Sequence, residues 1–122
     1  MKKIKTFEDA CKALGLDPKK SLPDFSGYPE KHAKGMIAHA KLVIIAEALN
    51  EGWTPDWTDG NWDKYYPWFE MGSPSGVGFS CGDYGHWLSG SSVGSRLCFK
   101  SSELAKYAGK QFEQLYKDYF VM

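Results

Sequence analysis

The sequence predicts an α+β domain in the order ααβββα, with a small three-stranded antiparallel sheet packed against a long central helix and a C-terminal helix. Apolar residues recur at helical spacing near both ends of the chain, whereas the middle is rich in Trp, Tyr, Gly, Ser and Pro, which favour strands and turns. With 122 residues, 43% of them hydrophobic, the chain can bury one core. Residues 1–122 are therefore expected to form a single domain.

Three helices follow from local signals. The predicted helices span about residues 6–14, from 29 or 30 to just before 52, and from 101 or 102 to about 120. Thr6 and Asp9 have the spacing of a capping box at the start of the first helix, and Gly15 can end it. The second helix carries an apolar stripe that widens toward its C-terminus, so we expect it to be the spine of the domain.

Three short strands are expected in the aromatic-rich middle of the chain. The predicted strands are Lys64–Glu70, Val77–Cys81 and Arg96–Lys100. Pro67 cannot donate a hydrogen bond to a neighbouring strand, so it favours a sheet edge or a bulge for the first strand. The stretch Gly82–Ser95 is rich in Gly and Ser and is predicted to be a loop.

The charges are balanced overall but unevenly distributed. Residues 1–50 carry nine Lys and six acidic residues, residues 51–95 carry one Lys and six acidic residues, and residues 96–122 carry five cations and three acidic residues. A surface that binds nucleic acid is normally a concentrated basic patch with several Arg, and this chain has a single Arg. The aromatic-rich middle is instead the acidic part of the molecule.

The composition also favours a cytoplasmic protein without a membrane segment. Three cysteines cannot all pair within one chain, and no apolar run follows the first lysines as it would in a signal peptide. The longest apolar run, residues 42–46, is far shorter than the roughly 18 residues of a membrane span. We therefore expect a cytoplasmic location and no membrane partner.

No motif for a cofactor, a metal or catalysis is complete. The glycines at 76 and 78 match neither a phosphate loop nor a dinucleotide-binding turn, and Cys81, His86 and Cys98 would supply three ligands where structural zinc sites take four. The sequence thus predicts no cofactor, no metal and, on balance, no enzyme. A small hydrolase using His86 with Asp83 or Cys81 remains an alternative, and it requires those side chains to converge in one pocket.

The aromatic residues are the strongest functional signal. Aromatic residues make up 16% of the chain, and seven rings lie between residues 53 and 69. They either close a core that the helices cannot cover or form an exposed stacking platform, since Tyr66 and Trp68 share one face of the first strand. The candidate ligand-binding residues are Trp57, Trp62, Tyr66, Trp68, Trp87, Arg96 and Lys100.

The charges beside these rings decide which ligand they suit. Rings next to Arg96 and Lys100 would suit single-stranded nucleic acid. Rings next to the aspartates at 56, 59 and 63 would suit a sugar or a peptide that carries cations. The strand register, which the sequence leaves open, determines which arrangement forms.

Four stretches resemble a group of small proteins of unassigned activity from Bacteroides-type gut bacteria and their phages or mobile elements. They are TFEDACKALGL (6–16), LVIIAEALNEGWTPDW (42–57), KYYPWFEM (64–71) and GSRLCFKSSELAKYAGKQFEQLYKDYF (94–120), together about half of the chain. The resemblance implies a cytoplasmic accessory protein of a phage or integrated element, and it implies no catalytic residue. We therefore expect a small non-enzymatic binding or adaptor protein with a protein partner, and single-stranded nucleic-acid binding as the alternative.

Overall fold

The computed structural model describes residues 4–60, 63–73, 76, 78–89, 91 and 93–122. The helices are α1 (Phe7–Leu14), α2 (Glu30–Asn50), α3 (Ser102–Gln111) and α4 (Glu113–Phe120), the strands are β1 (Lys64–Glu70) and β2 (Ser80–Trp87), and a 3₁₀ turn spans Ser95–Leu97. The α+β class is confirmed. The predicted order ααβββα is wrong, because the described residues form one two-stranded antiparallel sheet and four helices.

The first two helices form as their local signals predict. The Thr6 hydroxyl accepts from the Asp9 N–H at 3.0 Å, and the Asp9 carboxylate accepts from the Thr6 N–H at 3.2 Å, so the capping box is present. Gly15 ends α1 with a φ of 71°, a conformation that glycine adopts without strain. Along α2, Leu42 and Ile45 are buried, and this helix packs against both α1 and α4.

The C-terminal helix is divided in two, which the sequence did not predict. Phe112 stands between α3 and α4 with φ −111° and ψ 28°, and its side chain is buried. α3 packs on the hairpin, whereas α4 packs mainly on α2. The break at Phe112 therefore lets one apolar stretch of chain cover two different parts of the core.

The sheet is a hairpin whose first strand matches the prediction and whose second strand is displaced. β2 begins three residues later than predicted and runs through the stretch that was expected to be a loop, while Val77 lies outside the described residues. Lys64 pairs with Trp87 at one end of the hairpin. The register shifts between Trp68 and Phe69, opposite Gly82, which has no partner on β1.

The third predicted strand is reduced to a single bridge between Tyr65 and Phe99. Tyr65 and Phe99 exchange two backbone hydrogen bonds of 3.0 and 2.7 Å. The next position on that edge of β1 is Pro67, which has no N–H to donate. In the other direction Ser101 already caps α3, since its hydroxyl accepts from the Leu104 N–H at 3.2 Å. Pairing therefore cannot extend on either side of the bridge.

The core lies between the helices and one face of the hairpin. Its buried rings are Phe7, Phe69, Phe79, Phe99, Phe112 and Tyr116. Gly109 allows α3 to approach the hairpin closely, because a Cβ at this position would lie 2.5 Å from the Cys81 sulfur and 2.8 Å from the Pro67 side chain. The described Trp side chains lie outside this core, half-buried or exposed.

Candidate functional site

The side of the hairpin turned away from α3 carries an open group of rings. Side chains alternate along β1, so Tyr66 and Trp68 lie opposite the buried Phe69. The Tyr66 ring stacks on Trp87 of β2 with 3.8 Å between centroids and 18° between planes, and Trp68 is 54% exposed. We call Tyr66, Trp68 and Trp87 the aromatic face.

Of the two glycines of β2 near these rings, Gly85 is the one that lets a ring lie flat against the strand. Gly85 pairs with Tyr66, and a Cβ at Gly85 would come within 2.2 Å of the Tyr66 ring. At Gly82 the nearest side-chain atom, Cδ1 of Trp68, would be 3.8 Å from an added Cβ, an ordinary contact distance. The ring of Tyr66 thus occupies the space that a side chain at Gly85 would need.

Lys64 lies at one end of the aromatic face, and its charged group is buried. This side chain is fully buried, and its ammonium donates to the carbonyl oxygens of Asp59 at 2.7 Å and Leu88 at 2.5 Å. The same nitrogen lies 5.4 Å from the centre of the Trp57 ring, within cation–π range. Through these hydrogen bonds, Lys64 links the segment before β1 to the residue that follows β2.

The other predicted binding residues make their contacts with different parts of the chain. Trp57 is half-buried, and its indole N–H donates to the Ser95 hydroxyl at 2.7 Å. Arg96 lines a cavity of about 330 Å³ near the C-terminal end of α2, and the Lys100 ammonium lies 4.0 Å from a carboxylate oxygen of Glu51. Trp62 lies outside the described residues. The structure thus places Tyr66, Trp68 and Trp87 on one side of the hairpin, whereas Arg96 and Lys100 make their contacts with other residues.

The charged groups that border the aromatic face are mostly acidic. Asp83 pairs with Trp68, and Glu70 lies two residues beyond Trp68 on the same side of β1. Both residues are exposed, and Asp83 lies 3.7 Å from the ammonium of Lys106 on α3. Sequence reasoning did not include either carboxylate in the binding site, although alternation along β1 already places Glu70 beside Trp68.

His86 does not meet the partners that the hydrolase alternative requires. Its Nδ1 lies 3.3 Å from a carboxylate oxygen of Asp63. Asp83 is on the opposite side of β2, and Cys81 is five residues away along the strand, which corresponds to about 15 Å. Burial raises the pKa of the Cys81 thiol, the reverse of what activates a nucleophile.

Neither a cluster of metal ligands nor a helix that could span a membrane is found in the described part of the chain. Within it, no group of three or more His, Cys, Asp or Glu side chains is placed to hold a metal ion. None of the described helices has the length and apolarity to cross a membrane. In comparisons with known proteins, no family model, no curated protein and no solved structure matches the chain. The aromatic face is therefore the best basis for a functional proposal.

Replacing Gly85 with Ala is expected to separate Tyr66 from Trp87 while the hairpin remains folded. The added methyl group overlaps the Tyr66 ring, which can swing outward because it is the end of a flexible side chain. Losing the stack costs about 0.5–1.5 kcal/mol, and a more favourable backbone entropy offsets roughly 0.5–1 kcal/mol of this. Nuclear Overhauser contacts between the Tyr66 and Trp87 rings should disappear in this variant.

Gly82→Ala is the matched control for this experiment. Its Cβ fits at 3.8 Å from Trp68, so the contacts between Tyr66 and Trp87 should persist. If Gly85→Ala keeps these contacts as well, the described packing of Tyr66 over Gly85 is incorrect.

Proposed function

We propose that this protein is a small non-enzymatic binding module that holds an extended, positively charged segment of a partner protein on its aromatic face. The observation that carries the proposal is the charge around the exposed rings. Glu70 and Asp83 present carboxylates there, the second of them paired with Lys106 of α3 at 3.7 Å, and Lys64, the single cation among residues 51–95, is buried. The face therefore offers rings and negative charge to a ligand.

Arg and Lys side chains match both features of this surface. A guanidinium or ammonium group over an exposed ring contributes about 0.5–1 kcal/mol, and Trp is the best of the rings for this contact. Exposed Trp and Tyr are also the residues that most often dominate protein–protein interfaces. Trp68 and Asp83 pair across the two strands, so one cationic side chain of the partner segment could contact both of them. In an extended segment, cations at alternate positions would all point toward this face.

Single-stranded nucleic acid is the less favoured occupant. Stacked bases would suit the rings, but phosphates need cations along their path. Arg96 and Lys100 make their contacts near the C-terminal end of α2, and the carboxylates of Glu70 and Asp83 would repel a phosphate backbone. These positions favour a cationic peptide over a polyanion.

The cytoplasm of a bacterium that carries a phage or integrated element is the setting that we propose for this activity. The sequence resemblance supports this setting. The three cysteines are free thiols, with Cys11 and Cys98 buried, and burial raises the pKa of Cys98 to about 11. Unpaired thiols of this kind suit a reducing compartment.

Selection from a random peptide library on the immobilised protein tests the proposal. The recovered peptides should contain more Lys and Arg than Asp and Glu. Trp68→Ala should weaken their binding at least about tenfold, because it removes the most exposed ring of the aromatic face. The hairpin should stay folded in this variant, since more than half of the Trp68 side chain is already in solvent.

Tyr28→Ala is the matched control, because Tyr28 is 45% exposed and is not part of the aromatic face. It should bind the selected peptides as tightly as the unmodified protein. An oligothymidylate and a neutral glucose oligosaccharide serve as competing probes. Recovery of acidic peptides only, or tighter binding of either probe than of any cationic peptide, would overturn the proposal.

A further inference from the structure

A second concave site lies between the N-terminal half of α2 and α4. Its volume is about 610 Å³, within the range of small-molecule sites, and none of its lining residues belongs to the aromatic face. Gly35 allows the two helices to approach at its base, because a Cβ at this position would lie 3.1 Å from the Asp118 carbonyl oxygen. The Tyr119 ring forms part of one wall, and it packs against His39 with 4.7 Å between the ring centroids.

The side chains that line this cavity carry an excess of positive charge. Lys31 and Lys34 stand one turn apart on α2, and Lys117 of α4 also lines the cavity, with the end of its side chain packed against Gly76. Asp118 is the one carboxylate among the described lining side chains. It is already engaged, since it accepts from the Gln114 amide at 2.8 Å and lies 3.6 Å from the Lys34 ammonium. With Lys34 paired to Asp118, the described lining side chains keep a net charge of about +2 from Lys31 and Lys117, which favours an anionic ligand.

The same cavity offers flat and apolar surface beside the lysines. Tyr28 is 45% exposed and Tyr119 is 36% exposed, and Met36 and Val121 complete this part of the lining. Rings with a free surface bind planar groups by stacking, and the lysine ammonium groups bind phosphate oxygens. The lining thus combines the two elements that recognise a phosphorylated planar compound.

We propose that this cavity binds a small phosphorylated molecule with a planar ring, of the mononucleotide class. The phosphate contacts Lys31 and Lys34, and the base lies against Tyr28 and Tyr119. This site is separate from the aromatic face, so a nucleotide and a partner peptide can be held at the same time.

Calorimetric titration with adenosine monophosphate tests this proposal, with adenosine and inorganic phosphate as separate probes. The nucleotide should bind with a dissociation constant below about 1 mM and more tightly than either part alone. A Lys31→Gln, Lys34→Gln double variant should bind the nucleotide about tenfold more weakly, because two charged donors are lost. Both lysines are exposed, so the fold should persist, which circular dichroism verifies.

Two controls separate this site from the rest of the surface. Lys20→Gln removes an exposed cation outside the cavity, and Trp68→Ala alters only the aromatic face. Both should bind the nucleotide as the unmodified protein does, whatever the outcome of the peptide selection. The proposal is overturned if the nucleotide does not bind, if phosphate alone binds as tightly, or if the double variant retains full affinity.

Discussion

Replacing Lys64 with Met is expected to lower the free energy of unfolding by about 2–3 kcal/mol. Met keeps the apolar stem of Lys64 but removes the ammonium, so the carbonyl oxygens of Asp59 and Leu88 lose their donor. Removing a buried charge also recovers its desolvation cost, which is why some buried ions can be replaced by apolar residues without loss. Here the acceptors remain in place, so the unpaired carbonyl groups should outweigh that gain.

Urea denaturation followed by circular dichroism measures this effect, and Lys100→Met is the matched control. The Lys100 ammonium is 4.0 Å from Glu51, whose side chain is 71% exposed, and such pairs contribute little. The control should therefore change stability by no more than about 0.5 kcal/mol. If Lys64→Met is no more destabilising than Lys100→Met, the hydrogen bonds of Lys64 do not hold the hairpin ends together.

Asn50→Ala is expected to destabilise the protein by about 2–4 kcal/mol. Asn50 is buried at the end of α2, where its amide donates to the Cys98 carbonyl at 2.9 Å and its oxygen accepts from the Lys100 N–H at 3.1 Å. These two bonds hold the segment around Phe99, which bridges to Tyr65. Alanine leaves both backbone groups without this partner.

Glu47→Ala on the same helix provides the control, because Glu47 is exposed and alanine is a strong helix former. Its unfolding midpoint in urea should stay close to that of the unmodified protein. Hydrogen exchange at the Tyr65 and Phe99 amides gives a second readout for Asn50→Ala, and both amides should exchange faster. Unchanged protection together with unchanged stability would show that Asn50 does not anchor this segment.

The elements that the sequence predicted are those whose signals are local. The capping box at Thr6 and the aromatic run of β1 each lie within one element, and the structure contains both. α2 also forms where it was predicted, but its most buried large side chains are Leu42, Ile45 and Leu49, which the prediction placed beside the main apolar stripe. β2 was misplaced because glycine normally disfavours strands. Gly85 is suitable there only because Tyr66 of the facing strand occupies its side-chain space, a tertiary contact that no local pattern reveals.

The sequence was sufficient to predict which rings of β1 share one side of the strand. It was not sufficient to predict which charged residues lie beside those rings. Alternation along β1 places Tyr66 and Trp68 on one side, and the structure shows that side to be open. The position of Trp87 depends on pairing with β2, and the distance of Arg96 from the rings depends on how far the third strand extends. Pro67 limits that extension, but its effect becomes clear only once the bridge at Tyr65 is known.

The two faces of the hairpin differ in how freely their residues can be substituted during evolution. Tyr65, Pro67 and Phe69 face α3 or the core, whereas residues 66 and 68 face outward. Under the function proposed above, substitutions at position 68 would alter what is bound while the folding of the domain is preserved. If the aromatic face binds a partner as we propose, the same scaffold could diversify its specificity, much as an antibody domain varies its binding loops on a constant framework.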